Sequence, residues 1–242
     1  MNHEEVFKAL EAHGLDVNDF FSALADQEKR ALPNIKTSLG GDAGDPKRIR
    51  EFAFVLRQVL LHRAIELTKA AGVALVHENG YVLALSVRAH FETTASLGYL
   101  HYRLNSMREG NISPEEMDRD IGIQLLGSRD EGILAIEGAE GFEAKQILTM
   151  LEYADRSVSK HILSGTANEH KMLMDIYRWL CEFCHPNFHS NKLAFDLNPD
   201  QGAFEFRHGT PLTNSEANII GNLLISGPVF VELYDDIKRL VP

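Results

Sequence analysis

The sequence predicts a mainly α-helical fold, a multi-helix bundle with a small C-terminal β-hairpin at about 193–207 and a final kinked helix. Three observations lead there. Apolar residues recur at helical spacing through most of the chain. Two stretches, Ser113-Pro-Glu-Glu and Thr213-Asn-Ser-Glu, have the form of a capping box, which satisfies the free amides of a helix start. Only once, in "LAFDLNPDQGAFEFRHG", does the apolar period change to two.

The elements follow in order. "HEEVFKALEAHG" reads as a short amphipathic helix stopped by Gly14, and "DVNDFFSALADQEKRAL" as a second helix. Residues 31–44 carry the Gly and Pro of a loop, so 1–44 reads as an N-terminal helical extension to a bundle domain over 45–242, the two forming one compact unit. Asp45 is placed to cap the next helix, with Pro46 at its first position, where a missing N–H costs nothing. Phe52, Val55, Leu56 and Val59 predict its buried stripe. From Tyr81 to Leu100 the only charges are Arg88 and Glu92, which predicts a central helix from about Gly80 to Met107.

Ser113 opens a further helix, and residues 127–141 read as a connecting loop. Helices from about Phe142 to Ile162 and from about Asn168 to Cys184 come next. Leu193, Phe195 and Leu197 alternate before the turn signal Asn198-Pro199-Asp200-Gln201-Gly202, and Phe204 and Phe206 after it. Thr213 caps the last helix, with Leu212 and Ala217 placed as a hydrophobic staple, and Gly227-Pro228 is expected to kink or break it.

Composition narrows the function classes. The 24 basic and 35 acidic residues leave a formal charge of −11, which disfavours RNA or DNA as a partner unless a local basic patch offsets it. The acidic start, without a basic leader or apolar run, and the charges inside the most apolar window argue against export and against a membrane span. A reducing, cytoplasmic setting is expected.

One stretch concentrates the chemistry: "YRWLCEFCHPNFHS", Tyr177 to Ser190. Cys181-Glu182-Phe183-Cys184-His185 fits the C-x-x-C-H of covalent haem attachment. No export signal accompanies it, and Leu173, Ile176, Leu180 and Phe183 make the segment a core helix, so haem is excluded and the thiols read as small apolar fillers. A metal would need a second Glu-x-x-His beside Glu182 and His185, or a less crowded ligand set than Cys181, Cys184, His185 and His189. No metal or other cofactor is expected.

Arg178 and His185 lie two helical turns apart on one face, with Pro186 ending the helix after the histidine. An arginine that stabilises phosphate charge and a histidine that exchanges protons near neutral pH are the groups that metal-free RNA cleavage requires. The same pair is consistent with Arg178 held by an acidic residue and with His185 capping the helix or anchoring the following loop. Arg88 and Glu92, one turn apart on the most apolar helix, need partners from another helix. Tyr177, Arg178, Glu182 and His185 are the candidates, which predicts one buried polar cluster joining the two helices.

Arg88, Phe91 and Glu92, followed by Tyr177, Leu180, Glu182, His185, Pro186 and Asn187, resemble a group of bacterial and phage-associated helical proteins with an Arg-x-x-Phe-Glu helix and a Tyr-x-x-Leu-x-Glu-x-x-His-Pro segment. More distantly, Arg178-x6-His185 resembles the motif of HEPN domains, helical bundles that often dimerise into ribonuclease sites and serve as toxins or in phage defence. That resemblance implies Arg178 and His185 as catalytic and a homodimer completing the site; the expected polar cluster adds Arg88, Glu92 and Glu182 as supporting residues. Trp179 departs from it, standing where that family prefers a polar residue. Two functions are therefore carried forward: a non-catalytic helical binding or scaffold protein, and a metal-independent ribonuclease.

Overall fold

The computed structural model describes residues 3–12, 14, 17–32, 40–136, 141–161, 171–198, 200–206 and 214–241. Within these the chain forms α1 (His3–Ala12), α2 (Val17–Glu28), α3 (Pro46–Val76), α4 (Gly80–Arg108), α5 (Pro114–Leu126), α6 (Glu131–Ile136), α7 (Ile147–His161), α8 (Met172–Cys184) and α9 (Phe188–Asn191). The hairpin strands β1 (Phe195–Asn198) and β2 (Ala203–Phe206) follow, then the long α10 (Asn214–Leu240). The fold is mainly helical, with the two-stranded antiparallel hairpin before the last helix, as the sequence predicts.

The local signals have local causes. Gly14, at φ 67°, takes the left-handed conformation beyond the end of α1 and donates its N–H to Glu11 O. Asp45 accepts the Lys47 N–H at 2.7 Å, which satisfies a free amide of the first turn of α3. Ser113 and Glu116 close a full capping box at the start of α5. The hairpin pairs Phe195 with Phe206 and Leu197 with Phe204, turning through Gly202 at φ 59°. Thr213 and Leu212, the residues of the second capping box and its staple, lie outside the described residues.

Two expectations change and a third narrows. The stripe on α3 runs through Ile49, Ala53, Leu56, Leu60 and Ala64, while Val59 is 53% exposed. Two alanines in the seam carried no strong apolar signal, and this shifted the expected face. Part of the 127–141 loop is the short helix α6, whose Leu134 is buried and whose start is held by Asp130 Oδ1 accepting the Ile133 N–H at 3.0 Å. Gly227-Pro228 does not break the last helix, which continues through Pro228 to Leu240.

The chain divides into two compact units. One comprises Met1–Lys29, Arg63–Phe91 and Asp175–Pro228, with a core that includes Leu10, Phe20, Leu83, Phe91, Leu180 and Ile219. The other comprises Arg30–His62, Glu92–Met174 and Val229–Pro242, with Leu56, Leu100, Ile121, Leu151, Phe230 and Leu233 in its core. In the second unit a Cβ on Gly98 would stand 2.5 Å from Ala154 Cβ, so α4 and α7 meet backbone to backbone there. The same unit holds the start of α8. Both Asp155 carboxylate oxygens, on α7, accept the N–H groups of Leu173 and Met174 at 2.8 and 3.0 Å. A side chain from another helix thus does the work of an N-cap.

Candidate functional site

The residues expected in one buried cluster separate by burial. Arg88, half-buried on α4, donates through Nη2 to the Tyr177 hydroxyl at 3.1 Å and lies 5.3 Å over that ring, so one link between α4 and α8 forms as expected. Glu92 is half-buried within the second unit. Arg178, Glu182 and His185 are all exposed, which corrects the expectation of burial. Leu173, Tyr177, Leu180 and Phe183 form the buried side of α8, and positions 178, 182 and 185 fall on its other side.

Each of the three exposed groups has a modest local partner. Arg178 lies 4.0 Å from Asp175, an exposed i, i+3 pair of little energetic weight. Glu182 accepts from the Asn187 amide at 2.9 Å. The His185 N–H closes the last turn of α8 on Cys181 O at 3.2 Å, and its carbonyl accepts the Asn187 N–H at 2.8 Å.

The fully buried polar chemistry lies elsewhere, on histidines that the sequence left scattered. In the first unit, His90 Nε2 is 3.3 Å from Gln27 Nε2 and His90 Nδ1 is 2.8 Å from Ser226 Oγ. Thr68 shares its hydroxyl hydrogen between Gln27 Oε1 at 3.2 Å and Ala64 O at 2.9 Å. Gln27, His90 and Ser226 have no exposed surface, and Thr68 has 2%. Since an amide nitrogen only donates, His90 Nε2 accepts, Nδ1 carries the proton, and Ser226 passes its own hydrogen toward Leu223 O at 3.4 Å. Burial lowers the His90 pKa from 6.5 to about 4, so the ring is neutral at pH 7.

The second unit contains a Ser–His–Asp arrangement. His101, on α4, meets Ser157 Oγ of α7 through Nδ1 and Asp236 Oδ2 of α10 through Nε2 at 2.7 Å. Burial pushes the His101 pKa down against the pull of Asp236. The neutral ring therefore donates from Nε2 and accepts the Ser157 hydroxyl at Nδ1. For Asp236, desolvation is outweighed by hydrogen bonds from His101 and Arg239, and its carboxyl titrates below the ordinary range. Nucleophilic catalysis needs the serine oxygen within reach of a substrate. Ser157 is 1% exposed and His101 has no exposed surface, so this arrangement ties three helices together and is closed to an acyl group.

The sequence did offer a signal for both chains. His90 and His101 stand at core positions of the most apolar helix, where a polar side chain must find a buried partner. A neutral imidazole leaves no mark in the pattern of formal charge.

Exposed apolar side chains gather on the hairpin. The register puts Phe195, Leu197, Phe204 and Phe206 on one face, with Asp196 and Glu205 opposite each other on the other. Leu197 is 49% exposed, Phe204 61% and Phe206 79%. Among the described residues no group of three or more His, Cys, Asp or Glu is placed to hold a metal ion. One segment there, Ser215–Leu240 of α10, is long and apolar enough to cross a membrane by length and composition, and half of its most apolar window is buried within the fold.

Comparison of the chain with protein-family models, with curated proteins and with solved structures gave no match.

Proposed function

We propose that the chain is a non-catalytic helical binding protein whose partner-binding surface is the aromatic face of the hairpin. The observation that carries this reading is the exposure of Leu197, Phe204 and Phe206 together on one side of a two-stranded sheet. A lone hairpin is marginal in water, and a contiguous patch of large apolar side chains is a usual mark of an interaction site. The sealed His90 and His101 chains support the same reading, since they spend their hydrogen bonds on holding helices in register.

The double variant Phe204→Ser/Phe206→Ser tests it. The melting temperature is expected to stay within a few degrees of wild type, while native-state binding of an apolar fluorescent dye, and any self-association seen by sedimentation, fall sharply. A loss of about 3–5 kcal/mol in stability, the cost of truncating a buried aromatic, would show the face to be covered within the fold and end the proposal.

One observation favours a second reading, a HEPN-like ribonuclease. Arg178, with 64% of its side chain exposed, and His185 are both accessible, as phosphate contact requires. On this reading Arg178→Ala and His185→Ala each abolish cleavage of a single-stranded RNA without lowering the melting temperature. Failure of the wild-type chain to cleave RNA removes this reading and leaves the first untouched.

A further inference from the structure

Strand β2 is exposed on both of its faces. Phe204 and Phe206 stand out on one side, and Glu205 is exposed on the other. Strand β1, by contrast, is half-buried at Phe195 and Asn198. Among the described residues the sheet has two strands, so β2 pairs with β1 along one edge and keeps its other edge outside the ladder. A strand open on both faces, with one edge outside the ladder, is a template for another strand. Resting on the aromatic-face reading above, we propose that β2 takes up an extended segment of a partner protein in which apolar and basic residues alternate, the segment adding to the sheet as a third strand.

Charge selects that partner. From Leu193 to Phe206 the chain holds Asp196, Asp200 and Glu205 and no lysine or arginine. Asp196 and Glu205 stand directly opposite each other across the ladder, both exposed. Glu205 Oε1 accepts from the Asn198 amide at 3.1 Å, a neutral contact that leaves the carboxylate charge in place. Like charges facing each other across two strands destabilise the pairing, and a cation alongside relieves it.

The side chains of an added strand alternate between the two faces. Those on one face extend the row of Phe204 and Phe206, and those on the other come alongside Glu205. A segment reading apolar-basic-apolar-basic meets both demands at once. A second copy of this chain does not, because adding β2 to β2 sets carboxylates beside carboxylates, a device by which edge strands resist self-pairing. The formal charge of −11 also draws a basic segment toward the chain.

The test titrates the full chain with three synthetic octapeptides: one alternating valine and lysine, one alternating valine and glutamate, and one of valine and lysine with its lysines in a single block. The first should bind about tenfold more tightly than the other two. It should also slow hydrogen exchange at alternate β2 amides, either Ala203 and Glu205 or Phe204 and Phe206. Asp196→Lys/Glu205→Lys should move the preference to the glutamate peptide. Glu66→Lys/Glu232→Lys, an equal charge change at exposed positions elsewhere, should leave it unchanged. If the first of these double variants lowers the melting temperature, Glu205→Lys alone is read instead and should level the two affinities. Equal binding of the three peptides, no binding, binding without protection of β2, a preference that survives the hairpin substitutions or is lost in the control, or pairing of β2 with a second copy would each overturn strand addition. Phe204→Ser/Phe206→Ser separates the two readings. Where it loses dye binding and any of those results holds, strand addition alone fails; where its dye binding is unchanged, the aromatic-face reading fails with it.

Discussion

The neutral His90 makes stability depend on pH in a calculable way. The ring is sealed between Gln27 and Ser226, and burial lowers its pKa from 6.5 to about 4. Below pH 6.5 the unfolded chain takes up a proton that the folded chain refuses. The stabilisation is present in full above pH 6.5 and is lost as the pH falls toward 4. At about 1.4 kcal/mol per pH unit, that interval is worth about 3 kcal/mol. The perturbation is His90→Gln, which keeps an acceptor and a donor for the two neighbours but does not titrate. Urea unfolding of both proteins from pH 7 to pH 4 isolates the contribution, because other titrating groups act in both. Wild type should lose about 3 kcal/mol more than the variant over that range. Parallel pH curves, or a His90 pKa near 6.5 in the folded protein by NMR, would refute the reasoning.

Two further predictions concern packing and capping. Gly98→Ala drives a Cβ to within 2.5 Å of Ala154 Cβ and 2.9 Å of Ala154 Cα, so it should cost about 1–3 kcal/mol in chemical denaturation; a neutral result would mean that α4 and α7 separate easily. Asp155→Ala removes the acceptor of two buried amides at the start of α8 and should cost about 2–3 kcal/mol, with faster hydrogen exchange at Leu173 and Met174; unchanged exchange at those two amides would show that the carboxylate does not cap the helix.

Much of the fold was legible because its causes are local. Ser113 and Glu116 lie within one turn of each other, and the alternation of Phe195, Leu197, Phe204 and Phe206 states the strand period directly. The cap on α8 was not legible, since Asp155 stands 18 residues before the amide that it receives. Nor were the histidine chains, in which Ser226 is 136 residues from His90. Linear spacing holds no trace of such meetings. The exposure of Arg178, Glu182 and His185 was within reach of the sequence: the stripe that buries Leu173, Leu180 and Phe183 turns those three positions outward. The demand for partners to Arg88 drew them inward, and the Tyr177 hydroxyl and ring meet part of that demand.

The chain of hydrogen bonds through His90 has a direction, and its far end sets it. Thr68 offers a hydrogen to Gln27 Oε1, which turns the amide nitrogen toward the imidazole and thereby decides which ring nitrogen bears the proton. A methyl in place of that hydroxyl, as in Thr68→Val, would free the amide to rotate. The imidazole would then exchange tautomers, and Ser226 would reverse from receiving a hydrogen to giving one. A residue joined to the ring through Gln27 thus governs its polarity, much as the first domino fixes which way a row falls.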